Sequence, residues 1–226
     1  MLDVVTSRNA HLYGPALDDM FRLRHKVLAE KRGLTQLRRP DGRLKDRFDT
    51  DDAIHLLLFA KDGTLIGAER LLPTTGPHLF SDVARDVCGV RGIPRGPGIV
   101  ELTRYCVDEV TLPRAGLEIA GKLLVVGLIE FCLRAGYDRI TTLLPSVALV
   151  NHLATGIHLK PLGLTVERDG IEQVAVVADV TAEMLAAARL SLDVFEPLVR
   201  YAGAPDDDPL VLAPATAHEL PRVAAE

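Results

Sequence analysis

Charged side chains set inside apolar segments are the residues of this 226-residue chain best placed to do chemistry, and they fall into four groups. Arg24 interrupts the apolar rhythm of the first helical segment, and Asp46-Arg-Phe-Asp49 places two acids around Phe48 in a charged loop. Glu69-Arg70 lies in the apolar run Thr64 to Leu72, and Glu101-Leu-Thr-Arg104 in the run Ile99 to Val107. A charge in a sheet-forming segment is costly to bury without a partner, so Arg70, Glu101 and Arg104 need acids or bases nearby. Asp46 and Asp49 are the evident supply, and a buried ionic cluster is the expectation. Glu101 and Arg104 stand three apart, an odd step that puts them on opposite faces of a regular strand. Either they serve different sites or the strand is bulged, and a bulge would free backbone N–H groups to hold a carbonyl and the oxyanion formed from it.

Other chemistries are poorly supplied. Cys88, Cys106 and Cys132 are widely spaced and odd in number, which suggests neither a disulfide framework nor a zinc site. Cys106 sits beside the fourth group without a neighbouring histidine and reads as packing. The seven histidines show no ligand spacing, so no metal is expected.

The elements that must position these groups follow from periodicity and turn signals. A short strand is expected at Leu2 to Thr6, then a helix from Ala16 to Lys31 with Met20, Leu23, Val27 and Leu28 on one face. The charged stretch Gly33 to Thr50, containing Pro40-Asp41-Gly42, reads as a long binding loop. Ile54 to Ala60 and Thr64 to Leu72 flank Asp62-Gly63 as a hairpin, and a short helix follows near His78 to Val87. A Gly- and Pro-rich link leads to the strand Ile99 to Val107, a helix Arg114 to Ala135 stopped by Gly136, a strand Asp138 to Leu144 and a short helix Ser146 to Thr155. Strands Leu164 to Arg168 and Gln173 to Val180 flank Asp169-Gly170, and a final helix starts from the N-cap Thr181 and reaches Phe195. This order predicts an α/β fold, a mixed and largely antiparallel central sheet with helices on both faces. Residues 1–202 form the expected domain, and the Pro-, Ala- and acid-rich stretch 203–226 an expected disordered tail.

Composition bounds the partners. Without Trp and with only 4% aromatic residues the chain is poorly equipped for base stacking, so no nucleic acid is expected. No basic n-region precedes an apolar core at the start, and Leu117 to Leu133 is broken by Glu118, Lys122 and Glu130, so neither export nor a membrane span is expected and the cytoplasm fits best. The net charge is −5, yet Arg22 to Arg47 carries ten Lys or Arg residues against Glu30, Asp41 and Asp46, a stretch able to attract an anion.

The four groups, taken in order, resemble the pattern of the LuxI-type acyl-homoserine lactone synthases: Phe21 and Arg24, then Asp46, Phe48 and Asp49, then Gly67, Arg70, Leu71, Pro73 and Thr74, then Glu101, Thr103, Arg104 and Tyr105. The match runs from about residue 15 to 110 and carries a GNAT-like fold with it. The resemblance implies acyl transfer from an acyl carrier protein or from coenzyme A to the amine of S-adenosylmethionine, then lactone closure with loss of methylthioadenosine. S-adenosylmethionine is then a co-substrate, and no cofactor is held permanently. Glu101 matches the family's candidate base, which must take a proton from the amine before it can attack, with Asp46 the second choice. Arg24 and Arg70 are implied to orient carboxylate or carrier groups, Asp49 and Arg104 to lock the loop onto the sheet, and Thr103 and Phe48 to complete the binding residues. Val100, Thr141, Leu143, Leu149 and Leu153 are the implied acyl pocket. Two aromatics usual in the family are absent, with Leu28 in the first position and Leu34 or Thr35 near the second. Two other readings stand beside this one: a GNAT-like N-acyltransferase acting on a different amine, favoured by the missing aromatics, and a non-catalytic relative that binds acyl or carrier groups.

Overall fold

The computed structural model describes residues 1–153, 155–168 and 170–210. Its strands are β1 (Leu2–Val5), β2 (Ile54–Phe59), β3 (Leu65–Pro73), β4 (Ile99–Val107), β5 (Arg139–Pro145), β6 (Lys160–Pro161), β7 (Val166–Arg168), β8 (Ile171–Asp179) and β9 (Val199–Tyr201). The helices are α1 (Gly14–Arg24), α2 (Leu79–Asp82), α3 (Arg114–Arg134), α4 (Ala148–Leu153) and α5 (Ala182–Leu192). A wider-wound turn, His25–Lys31, prolongs α1. The hairpin, the strand Ile99–Val107 and the long helix after it lie where apolar periodicity places them, and Thr181 caps α5 by accepting from the N–H of Met184. β6 and β9, two and three residues long, have too little pattern to be foreseen.

The sheet runs β6-β8-β5-β4-β3-β2-β1-β9, with β7 also on β8. Among the described residues only β4–β5 and β1–β9 are parallel pairs. Helices cover both faces. On one, α3 and α5 pack over Leu2, Val4, Leu56, Leu58 and Leu71. On the other, α1 packs over Val5, Leu57, Ala68 and Cys106, while α2 and the turn after it cover Leu143, Ala175 and Val177. Fully burying one aliphatic side chain is worth roughly 1.5–3 kcal/mol, so these two apolar layers fix which way each strand faces.

Two irregularities in the middle of the sheet matter for function. In β3–β4, Ala68 pairs with Cys106 but Arg70 pairs with Thr103, so Glu69 faces two residues, Arg104 and Tyr105. This is a β-bulge, and Arg104 adopts the left-handed φ of +56° within it. In β4–β5, pairing covers only Ile99–Leu102 with Arg139–Thr142, although both strands continue. The parallel strands therefore part after Leu102 and Thr142. Leu102 to Tyr105 and Thr142 to Leu143 are half-buried although they lie in central strands, which marks an opening in the sheet.

Residues 203–210 of the expected tail are described: Arg8 pairs with Asp207 at 2.8 Å, and Leu210 packs against the α3-side core. Residues 211–226 lie outside the described residues. No described helix is long and apolar enough to cross a membrane.

Candidate active site

The bulge puts the polar residues together. Without it Glu101 and Arg104 would face opposite ways; the extra residue turns both toward the α1 side, where the loop 33–50 folds over the sheet. Asp46 is the centre of the cluster. Arg70 donates from Nη1 to its Oδ1 at 2.7 Å and from Nη2 to its Oδ2 at 3.2 Å, while Arg104 donates to Oδ2 from Nε at 2.9 Å and Nη2 at 2.6 Å. Asp49 lies deeper, its side chain fully buried, 2.8 Å from Nη1 of Arg24 and 2.9 Å from Nη1 of Arg70. Its Oδ2 also accepts the N–H of Asp46 at 2.8 Å, which closes the loop on itself. Thr103 Oγ1 accepts from Nε of Arg70 at 3.0 Å. Phe48 covers the group: its ring lies 5.7 Å from the Arg70 guanidinium and 4.9 Å from that of Arg47.

The expected ionic cluster is thus present, but its pairing differs from the one implied. Asp49 holds Arg24 and Arg70, and it is Asp46 that holds Arg104. Nor are Arg24 and Arg70 free forks for a substrate carboxylate. Their side chains are 0% and 1% exposed and committed to aspartates, whereas Arg104, at 22%, is the one of the three that reaches the surface of the cleft. The physical reason is that two acids and three arginines on adjacent strands and one loop neutralise each other once water is excluded.

Electrostatics separates the two candidate bases. Burial alone would raise the Asp46 carboxyl, but hydrogen bonds and charge from Arg70, then Arg104, outweigh it and hold Asp46 well below the usual carboxylate range. It is a weak proton acceptor that anchors the loop. Glu101 is fully buried, and its oxygens accept the N–H groups of Leu79 at 2.5 Å and Phe80 at 2.9 Å. Those bonds and the charge of Arg70 favour the carboxylate, yet burial outweighs them and pushes its pKa up to about 7. A carboxylate poised there can both take and return a proton near neutral pH.

His55 is a member of this cluster that spacing arguments missed. It lies on β2 facing α1, 8% exposed, with Nδ1 3.1 Å from Nη2 of Arg24. Burial and then the Arg24 charge depress its pKa to about 3, so the ring is neutral and Nδ1 accepts. A histidine inside Ile54-His-Leu-Leu-Leu was the available signal. The N–H groups that hold Glu101 come from α2 and left no mark in the side-chain pattern.

The implied acyl-pocket residues do not line one space. Val100 faces the α3-side core, whereas Thr141 and Leu143 face α2, and Leu149 packs beside Leu144, Val174 and Val176. The side chain of Leu153 lies outside the described residues. Thr141 is fully buried and donates to the carbonyl of Val176 at 2.8 Å. Leu28, at the first of the two aromatic positions, and Leu34, which with Thr35 lies near the second, sit together in the α1-side apolar layer, with the N–H of Leu34 donating to the carbonyl of Leu28 at 3.1 Å. Much of the basic stretch is neutralised from outside: Arg22 pairs with Asp18 at 2.9 Å and Lys26 with Asp108 at 3.0 Å, while Arg32 pairs with Glu109 and Arg43 with Asp18. Among the described residues no cluster of three or more His, Cys, Asp or Glu could hold a metal.

Comparison with known proteins agrees with this architecture. The chain is 34% identical over 186 residues to isovaleryl-homoserine lactone synthase of Bradyrhizobium diazoefficiens, covering 82% of each chain. Its fold matches the coenzyme-A-dependent acyl-homoserine lactone synthase BjaI, solved with S-adenosylmethionine and isopentyl-CoA, with a TM-score of 0.83 at 31% identity over 90% of this chain and 94% of that one. An acyl-CoA N-acyltransferase from Pseudomonas aeruginosa, 16% identical, shares the fold alone, with a TM-score of 0.51 over 78% of this chain and 99% of that one. Residues 9–182 match the model of the autoinducer synthase family, and with the cleft, the bulge and the Asp46–Arg70–Arg104 cluster in place the chain belongs to that family.

Proposed function

We propose that this chain makes an N-acyl-homoserine lactone, moving an acyl group from a coenzyme A thioester to the amine of S-adenosylmethionine and then closing the lactone with release of methylthioadenosine. The observation that carries the reading is Glu101, a buried carboxylate of pKa about 7 on the face where β4 and β5 part. An α-amino group, of pKa about 7.7 to 8.0, has no free lone pair while protonated. Glu101 takes that proton, directly or through one water, and the neutral nitrogen attacks the thioester carbonyl. The amide C–N bond forms, the C–S bond breaks, and coenzyme A leaves as the thiol. The methionine carboxylate then attacks its own γ-carbon, and the sulfonium departs as neutral methylthioadenosine. This second step needs the chain mainly to hold the substrate folded, because nucleophile and leaving group belong to one molecule.

Arg104, half-exposed on the bulge and held by Asp46, is the cation of the cluster available to a substrate anion, and the freed backbone at the bulge suits a thioester carbonyl. A coenzyme A donor is favoured by the likeness to the coenzyme-A-dependent synthase solved with isopentyl-CoA. Such substrates and the three unpaired cysteines suit a cytoplasmic enzyme.

The test is methylthioadenosine release by the purified chain given S-adenosylmethionine and a panel of acyl-CoA thioesters, isovaleryl-CoA among them, against the same acyl groups on acyl carrier protein. Release with acyl-CoA at a kcat/KM at least about tenfold above that with the carrier protein is expected. Acyl transfer without methylthioadenosine would instead assign an N-acyltransferase acting on another amine, and binding without turnover a non-catalytic relative.

A further inference from the structure

Glu69 is the one acid of the four charged groups that neither serves the reaction above nor pairs with an arginine among the described residues. It lies on β3, next to Arg70 but on the opposite face, so it points into the apolar layer under α3. It is 0% exposed, and neither carboxyl oxygen has a hydrogen-bond partner among the described residues. A buried polar group left unpaired is costly, so its presence calls for a function.

Its surroundings indicate one. Across the bulge Glu69 faces Arg104 and Tyr105, and Tyr105 shares its side of the sheet. Leu102 and Tyr105, both on that side, are half-buried at the opening where β4 leaves β5. The Tyr105 hydroxyl stands over Gly121 of α3, where an added Cβ would come within 3.3 Å of it. Burial pushes the Glu69 pKa well above the carboxylate range, leaving an acid that offers one O–H donor and one carbonyl acceptor.

We propose that Glu69 is a specificity residue, whose carboxyl hydrogen-bonds a hydroxyl or keto oxygen carried on the distal part of the acyl chain entering between β4 and β5. This rests on the synthase reading. A hydrocarbon chain would leave both oxygens of Glu69 orphaned, whereas a hydroxyl or a ketone satisfies one or both. The position along the chain follows from the strand: Arg104 and Tyr105 are three and four residues beyond Glu101, roughly 10 to 13 Å at ~3.3 Å per residue. That span suits an oxygen near the far end of a medium-length chain rather than one beside the thioester.

The experiment compares kcat/KM, read as methylthioadenosine release, for octanoyl-CoA, 8-hydroxyoctanoyl-CoA, 7-oxooctanoyl-CoA and 3-hydroxyoctanoyl-CoA. The wild type is expected to favour the two distal-oxygen chains over octanoyl-CoA by at least about tenfold, because a site built to bond an oxygen rejects the analogue lacking it. Glu69→Gln, which keeps a donor and an acceptor, is expected to retain the preference. Glu69→Leu, and Glu69→Met as a second apolar variant, are expected to abolish or invert it while still turning over octanoyl-CoA. Equal turnover of all chains by the wild type, preference for the 3-hydroxy chain alone, or an unchanged ratio in both apolar variants overturns the assignment and leaves the synthase reading standing. No methylthioadenosine from any of these chains overturns the Glu69 assignment, and none from isovaleryl-CoA either overturns both.

Discussion

Oε1 of Glu101 accepts the backbone N–H of Phe80 at 2.9 Å, so a strand residue and the first turn of α2, 21 residues apart in the chain, together form the proposed base. The bond opposes the effect of burial, and their balance leaves the carboxyl ionising near pH 7. Activity that needs the carboxylate therefore rises with pH through about 7. Glu101→Gln is expected to lower kcat by about 10²–10⁴-fold and to remove that acid limb from the pH profile, measured as methylthioadenosine release. The same substitution has a stability signature. A carboxyl whose folded pKa of about 7 exceeds its ordinary value of 4.5 makes the fold lose stability as pH rises between those values. The variant should show a flatter stability curve over that window in urea unfolding, and an unaltered curve would refute the ionisation assigned to Glu101.

Asp46 and Asp49 predict the opposite slope at acid pH. Both carboxyls lie below the ordinary aspartate value of 3.8, held there against burial by Arg70 and Arg104 for Asp46 and by Arg24 and Arg70 for Asp49. A depressed acid contributes stability above its unfolded pKa, lost as pH falls through the folded one. Thermal midpoints should therefore drop progressively below about pH 4. Asp49→Asn, which leaves the buried Arg24 without its carboxylate while Arg70 keeps Asp46, is expected to destabilise by about 3–5 kcal/mol at pH 7 and to blunt that acid dependence.

His55 is predicted to orient Arg24 as a neutral acceptor. His55→Leu leaves Nη2 of Arg24 without its acceptor and should cost about 1–3 kcal/mol, while His55→Gln, which keeps an acceptor oxygen, should recover most of it. A histidine depressed from 6.5 to about 3 makes the fold lose stability as pH falls between those values, because only the unfolded chain takes up the proton. Both variants should lack that component in a series of unfolding curves from pH 7 to pH 4.

Leu34 offers a gain rather than a loss. It is half-buried at the edge of the α1-side layer and, with Thr35, lies near the second of the two positions where this chain lacks an aromatic. Leu34→Trp would supply a π face for the sulfonium cation, worth about 0.5–2 kcal/mol, and the KM for S-adenosylmethionine should fall by about 2- to 30-fold with kcat little changed. An unchanged KM would place the sulfonium elsewhere.

What the sequence determined by itself was the set of residues and the elements that carry them. Apolar periodicity marks the hairpin, the strand Ile99–Val107 and the helix Arg114–Arg134, because the alternation of faces is a local property. The need of Arg70 and Arg104 for acids, and the odd step from Glu101 to Arg104, also followed from local chemistry. The pairing did not: which aspartate meets which arginine depends on how the loop 33–50 lies on the sheet, and it set Asp46 on Arg104 and buried Asp49 between Arg24 and Arg70. The recruitment of His55, the N–H groups of Leu79 and Phe80 around Glu101, and the isolation of Glu69 on the far face were likewise decided only by tertiary structure. Burial and long-range contact determine whether a charge is an anchor, a base or an unpaired acid, and neither is encoded in spacing along the chain.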